Sequence, residues 1–340
     1  MRAAVYQGNQ KLEIKDVPVP PTGLGQILVK VSHSAICGTD VHGFMYDVVP
    51  KGQIMGHEYS GTVVEVGKGV TQWKKGDRVA GGGGTPPPGV PSFIITHPRF
   101  NFRKQGWNSQ PPWAMAYAEY VQMEAWQALG IPNEVSDVAA SMAEPLAAAV
   151  HAVRRSGLKI GDSVAVFGAG PLGLFSAQVA KAAGAAPVVA IEPAPARREA
   201  AGKVGADAVI DPSKQDVETE LTKLTGGKGP QIVFECAGAK STLHQAMESV
   251  RFGGRVVLVA LSWEPQPVVP VDFITRDVEL TTTFAHGTDD WLVGFDLIKK
   301  GKVNTDALLT KDGIIPLEKI QETFLRLTKP TDEIKVVVKL

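Results

Sequence analysis

The chain has 340 residues, 44% hydrophobic and 21% charged, which is enough length and apolar content for two packed domains and excludes disorder, collagen and fibre. Lys plus Arg equals Asp plus Glu at 35 each, so no overall basic field exists to hold nucleic acid or an anionic membrane, and a small, neutral partner is the default. The opening MRAAVYQGNQKLEI lacks the apolar core of a signal peptide and no stretch reaches the roughly 18 apolar residues of a membrane span, so a cytoplasmic protein is expected. Two cysteines, Cys37 and Cys236, cannot build a disulfide framework or a four-thiolate metal site, which leaves room for at most one zinc-thiolate site.

From Met1 to about Val79, short β-rich runs such as ILVKVSHSAI and GTVVEVG alternate with Gly and Pro turns, predicting a mostly β domain. The run GGGGTPPPGVP, residues 81 to 91, cannot continue a strand or helix, and the irregular, aromatic-rich sequence to about Trp113 extends it into a long surface excursion. A lid or interface and a floppy insertion both fit such a segment. From about Pro145 the pattern changes to helix (AAAVHAVRRSG), buried strand (SVAVF), helix (PLGLFSAQVAKAAG) and strand (VVAIE), and the alternation continues through QIVFECAG and GGRVVLVA. This is an α/β pattern, predicting a doubly wound, mostly parallel sheet over residues 146–286. Beyond it DDWLVGFDLIKKGKV and PLEKIQETFLRLT read as amphipathic helices and IKVVVKL as a closing strand. The expected organisation is a catalytic domain of residues 1–145 and 287–340 with a cofactor domain inserted in it.

Directly after SVAVF stands Gly168-Ala169-Gly170-Pro171-Leu172-Gly173, a G-x-G-x-x-G run between a strand and a helix, the context a dinucleotide fingerprint requires. Gly168 serves the tight turn, Gly170 the approach of a pyrophosphate, and Gly173 close helix–strand packing, while the helix N-terminus supplies amide donors. Pro171 loses no N–H that the first helical turn needs, and Leu172 completes the turn. Glu192 ends the next strand, where a carboxylate can accept hydrogen bonds from the ribose hydroxyls and repel a 2′-phosphate, favouring NAD over NADP. Arg197 and Arg198 follow and could meet a 2′-phosphate, although a solvated helix face accounts for them as well.

Cys37 in ICGTDVH and His57 in MGHEYSG fall in the β-rich domain, with Glu58 and Glu144 as nearby candidate carboxylates. A catalytic zinc needs three protein ligands and an open position, and a thiolate, an imidazole and a carboxylate would keep the ion acidic enough to polarise an alcohol oxygen. A buried small cysteine and a packing histidine would explain the same residues without a metal.

The motifs GHEYSGTVVEVGKGVTQWKKGDRV, ICGTDVH, EPLAAAVHA and GAGPLG, in this arrangement, resemble the zinc-dependent medium-chain alcohol dehydrogenase family over essentially the whole chain, closest to its sorbitol, threonine and butanediol dehydrogenase branch. The resemblance implies a GroES-like catalytic domain beside a Rossmann domain. It implies Cys37, His57 and Glu58 as zinc ligands, with Glu144 either a fourth, exchangeable ligand or the hydrogen-bond partner of the zinc-bound water. It also implies Asp40 as the carboxylate that orients the histidine, Thr39 as the hydroxyl that accepts the alcohol proton, and His42 as the outer histidine that exchanges it with solvent through the cofactor ribose. Zinc would act as Lewis acid while hydride passes from a secondary alcohol to NAD.

Two departures from the family pattern bear on the expectations. Four closely spaced cysteines of a structural zinc lobe are replaced by the Gly/Pro excursion, so one catalytic zinc and no structural zinc is expected; a second zinc would call for an account of His97 in that excursion. An aromatic residue and an arginine that sorbitol-type members carry correspond to Gly43 and Ala285, which implies a roomier or differently polar pocket, shaped by Trp113, Trp291 or His286 unless those side chains serve packing. Cys236 reads as structural. The rival readings are a zinc-free NADPH-dependent quinone or enone reductase of the same fold, whose members lack the Cys and GHE set, and a non-catalytic dinucleotide-binding relative. The resemblance further implies a homodimer or homotetramer, with the VVLVALS region near the sheet edge as the contact.

Overall fold

The computed structural model describes residues 1–85, 87, 88, 115–329 and 331–340. Most of the Gly/Pro excursion, with His97 and Trp113, lies outside the described residues. The chain divides into two compact units, one of Met1–Glu144, Leu309–Thr331 and Lys335–Leu340, the other of Pro145–Leu308 and Asp332–Ile334.

In the first unit, β1 (Arg2–Tyr6) and β2 (Leu12–Asp16) pair antiparallel. There follow β3 (Gln26–Ala35), α1 (Gly38–Met45), β4 (Glu58–Val66), β5 (Arg78–Gly81), β6 (Tyr120–Glu124), β7 (Ala128–Gly130), α2 (Asp137–Ser141) and the start of α3 (Ala143–Ser156). Side chains two apart share a strand face, so Ile27, Val29 and Val31 of β3 point into one core with Tyr59, Val63, Val79, Val121 and Met123. A second core gathers Ile36, Phe44, Met55, Tyr117, Phe324, Val336 and Val338, and the helix that carries the ICGTDVH motif is anchored in it through Phe44.

The second unit holds β8 (Val164–Phe167), α4 (Pro171–Ala182), β9 (Val188–Ile191), α5 (Pro195–Lys203), β10 (Ala208–Ile210), α6 (Val217–Leu224), β11 (Ile232–Glu235), α7 (Thr242–Ser249), β12 (Arg255–Leu258), α8 (Val271–Ile274), β13 (Glu279–Thr282) and α9 (Thr288–Lys299). Its six strands are all parallel, in the order β10-β9-β8-β11-β12-β13. The winding direction reverses between β8 and β11, and in open α/β sheets ligands bind beyond the carboxyl ends of strands at such a reversal. VAVF, VVAI and IVFE are buried along their whole length, as expected of strands covered on both faces.

This unit runs on to Leu308, past position 286, because α9 packs within it. Trp291 and Phe295 are buried, Gly294 lies against Leu146, and Asp290 binds Arg154 Nη1 at 2.8 Å and His151 Nδ1 at 3.1 Å. The amphipathic period of α9 establishes a helix but does not encode which unit receives its apolar face. The chain then adds β14 (Leu309–Pro316), α10 (Ile320–Leu327) and β15 (Lys335–Lys339) to the first unit, giving a seven-stranded sheet in which β15 lies between β14 and β3. Among the described residues, no helix is long and apolar enough to cross a membrane.

Candidate functional site

Pairing of β3 with β4 brings the candidate metal ligands together. Ala35, at the end of β3, faces Glu58, at the start of β4, so the chain leaving one strand and the chain entering the other bring Cys37, His57 and Glu58 together. The ligand atoms of these three residues lie within 4.8 Å of one another. Cys37 is the N-cap of α1, its Sγ accepting a hydrogen bond from the Thr39 amide at 3.4 Å. Burial pushes the Cys37 thiol up, Glu58 adds to this, and His57 and Lys335 oppose it. On His57 burial disfavours charge, but Asp40 and Cys37 outweigh it and hold the imidazole pKa well above its ordinary 6.5.

Asp40, in the first turn of α1, is buried and presents Oδ1 to His57 Nδ1 at 3.6 Å. Its Oδ2 accepts a 2.6 Å hydrogen bond from the hydroxyl of Tyr117, a fully buried residue that sequence reasoning did not single out. Glu58 is buried against the Nζ of Lys335, an ion pair with both side chains almost wholly inaccessible. Burial raises the Glu58 pKa, nearby Glu144 raises it further, and Lys335 and His57 counter both. Glu144, in the first turn of α3, thus stands in the electrostatic neighbourhood of Glu58 but outside the close trio.

These residues fit a zinc ion. Sulfur, nitrogen and oxygen donors are gathered closely enough for bonds of about 2.0–2.3 Å, and both Glu58 oxygens and Asp40 Oδ1 are buried without a hydrogen bond. A second gathering, His244, Glu248 and Asp272, is of a different character. It is solvent-accessible, and the inner Nδ1 of His244 is buried without a partner, whereas a metal-bound imidazole normally donates its other N–H. Thr39 and His42 lie one turn apart on α1, with Thr39 Oγ1 3.5 Å from Cys37 Sγ and the His42 pKa lowered by burial. Gly43 is buried in the same helix.

In the second unit, Gly168 has φ +91°, and a Cβ there would stand 2.9 Å from Ala237 Cα. A Cβ on Gly173 would meet Gly168 O at 1.8 Å, so helix and turn touch through their backbones. Gly170 caps α4 with open space where its Cβ would be, and Pro171 and Leu172 begin the helix. The cradle suits a pyrophosphate. Glu192 directly follows β9 and is buried, Oε2 accepting from the Ala169 amide at 2.8 Å and Oε1 from the Ala194 amide at 2.9 Å, so the acid ties the glycine turn to the chain leaving the neighbouring strand.

The two arginines do not form a solvated face. Arg197 Nη2 donates to Glu333 O at 3.0 Å, while Arg198 donates to Glu192 O at 3.0 Å and pairs with Asp211 at 3.0 Å. Trp291 is a core residue whose Nε1 donates to His286 Nδ1 at 2.8 Å, and Ala285 sits in the left-handed region at φ 57°. Burial, with help from Glu235, pushes the Cys236 thiol far up, in keeping with a structural residue.

The alcohol dehydrogenase GroES-like domain model matches residues 23–133, and the zinc-binding dehydrogenase model matches residues 171–300. The chain is 32% identical to (R,R)-butanediol dehydrogenase of Bacillus subtilis, covering 100% of this chain and 99% of that protein. Human sorbitol dehydrogenase is 32% identical over 94% of this chain and 90% of its own. The crystal structure of 2R,3R-butanediol dehydrogenase from Bacillus subtilis superposes with a TM-score of 0.86 at 31% identity, covering 100% of this chain and 99% of that one.

Proposed function

The chain belongs to the zinc-dependent medium-chain alcohol dehydrogenase family, and from that premise we propose that Cys37, His57 and Glu58 hold one catalytic zinc at which a secondary alcohol of the diol or polyol kind is oxidised by NAD, or the ketone reduced by NADH. The observation that carries the proposal is the convergence of thiol, imidazole and carboxylate at the β3–β4 junction, with Asp40 behind the imidazole. Zinc held there would supply Lewis acidity that makes an alcohol proton easier to remove, and bound NAD would supply the hydride acceptor.

The remaining work falls to side chains of this protein. The Thr39 hydroxyl, beside Cys37, accepts the proton leaving the alcohol. His42, one turn further along α1, exchanges that proton with solvent, and its lowered pKa keeps it neutral and able to accept. Glu144 is the second carboxylate, exchanging with solvent as a ligand or accepting a hydrogen bond from it. Gly168, Gly170, Pro171, Leu172 and Gly173 cradle the pyrophosphate, and Glu192 faces the adenosine ribose, where its charge favours NAD over NADP. Arg197, whose Nη2 donates to Glu333 O, flanks that site as a further cofactor-binding residue. A single zinc per chain follows from a sequence whose only other cysteine is Cys236. We further propose a cytoplasmic homodimer or homotetramer; the VVLVALS run begins in β12, which β13 covers, so the contact proposed is the β13 edge, where Leu280 is exposed.

The test is elemental analysis of protein purified without added metal, alongside assays of vicinal diols and polyols with NAD and NADP. About one zinc per chain, lost in Cys37→Ser, with faster turnover on NAD, is expected. A zinc-free protein that still turns over would refute the Lewis-acid reading.

A further inference from the structure

The closing strand does more for the site than complete a sheet. β15 runs antiparallel to β3, with Val337 opposite Ala35 and the Ile36 amide donating to Val336 O at 2.9 Å. This register sets Lys335, at the start of β15, beside the segment Ile36–Cys37. Its Nζ donates to Ile36 O at 2.9 Å and pairs with one Glu58 carboxylate oxygen, with the lysine and glutamate side chains 2% and 1% exposed. One buried cation thus contacts both the carboxylate and the backbone of the residue preceding the thiol.

A buried lysine is costly unless its charge is used, and Glu58 without it would be a buried carboxylate near a second carboxylate, Glu144. The same cation stands next to a site that gathers donors for a metal, where like charge repels. We propose that Lys335 is a positioning residue that partitions Glu58 between protein and zinc: it retains one carboxylate oxygen and leaves the other to the metal, so that Glu58 makes a single metal bond and a coordination position stays open for the substrate. The proposal rests on the reading that Cys37, His57 and Glu58 are ligands. It gives the closing strand a role in tuning the metal, in addition to filling the core.

The test uses cobalt(II) as a spectroscopic probe, titrated into metal-free wild type, Lys335→Met and Lys335→Arg in competition with a chelator. In Lys335→Met the cation is gone and both Glu58 oxygens turn to the metal. Cobalt affinity is expected to rise on the order of tenfold or more, with visible d–d bands weakened as the coordination number increases. In Lys335→Arg the guanidinium fork can hold both oxygens, and affinity is expected to fall by a similar factor while the thiolate-to-cobalt band persists. A merely structural lysine would weaken binding in both variants without changing the spectrum of the bound ion, and that result would overturn the proposal. If metal-free Lys335→Met fails to fold, Lys335→Arg is read with Lys335→Gln, which keeps a neutral donor of similar reach: tighter cobalt binding in Lys335→Gln with weaker binding in Lys335→Arg is expected, and weaker binding in both, or unchanged or tighter binding in Lys335→Arg, overturns the proposal. Absence of a thiolate-to-cobalt band in wild type would instead overturn the ligand assignment itself, which separates the two failures.

Discussion

Tyr117→Phe removes one oxygen from the site and leaves a ring of the same shape in a core where Tyr117 packs edge-on to Phe324, ring centroids 5.8 Å apart. The lost hydrogen bond, 2.6 Å to Asp40 Oδ2, is a hydroxyl donating to a buried carboxylate. Burial and the adjacent Asp40 hold the phenol pKa well above its usual 10, so the hydroxyl remains a donor throughout the neutral range. Hydrogen bonds to charged groups contribute roughly 1.5–3 kcal/mol, and Asp40 Oδ1 has no other hydrogen bond with which to offset the loss. Metal-free Tyr117→Phe should therefore unfold with about that much less free energy, a fall of several degrees in Tm. Because Asp40 faces the inner nitrogen of His57, a carboxylate no longer held by Tyr117 should also orient the imidazole less well, weakening metal binding about 10–100-fold. Differential scanning calorimetry of the metal-free protein and zinc competition against a chelator measure the two effects separately. Loss of stability with unchanged zinc affinity would refute the claim that Asp40 acts on the metal through His57.

Two further outcomes follow from the geometry. Gly170→Ala has open space for its Cβ and ordinary backbone angles, so it should leave Tm nearly unchanged while NAD binding, followed by fluorescence titration, weakens more than about tenfold; Gly173→Ala, whose Cβ meets Gly168 O at 1.8 Å, should lose stability as well, and equal behaviour of the pair would contradict the assigned roles. Burial lowers the His42 pKa from 6.5, so stability is full above 6.5, falls as pH drops from 6.5 towards the lower folded value, and levels off below it, while the folded ring itself stays neutral until that lower value; the acid limb of kcat/KM should lie below 6.5 and disappear in His42→Gln, and a limb unchanged by that substitution would remove His42 from the proton path.

The inserted parallel sheet was legible because each of its strands is a short apolar run followed by a helix of different period, and because the glycine run sits where strand gives way to helix. The reach of the second unit to Leu308 was not, since the pattern of Thr288–Lys299 defines an apolar face without naming its neighbour. In the site, Cys37, His57 and Glu58 were legible from two short motifs, while the reason they meet lies in the register that sets Ala35 opposite Glu58. Arg197 and Arg198 mislead when counted only as charges on a helix, because their guanidinium groups reach back to backbone carbonyls and to Asp211.

Tyr117 and Lys335 were missed for opposite reasons. A tyrosine in MAYAEYV satisfies every packing expectation of a β-rich core, so nothing local marks its hydroxyl as the partner of a carboxylate 77 positions away in the chain. Lys335 did leave a signal. In IKVVVKL it stands two residues before Val337 and so on the same strand face, in a sheet strand that is otherwise apolar until Lys339. An inward lysine at such a position is tolerable only if a carboxylate awaits it, and the buried carboxylate with the least hydrogen bonding in this unit is Glu58. The cost of an unpaired buried charge therefore links β15 to the candidate metal site: the acid that suits a cation is paired with Lys335 in the metal-free protein, and on the proposal made above that lysine sets how much of the acid a bound cation would receive.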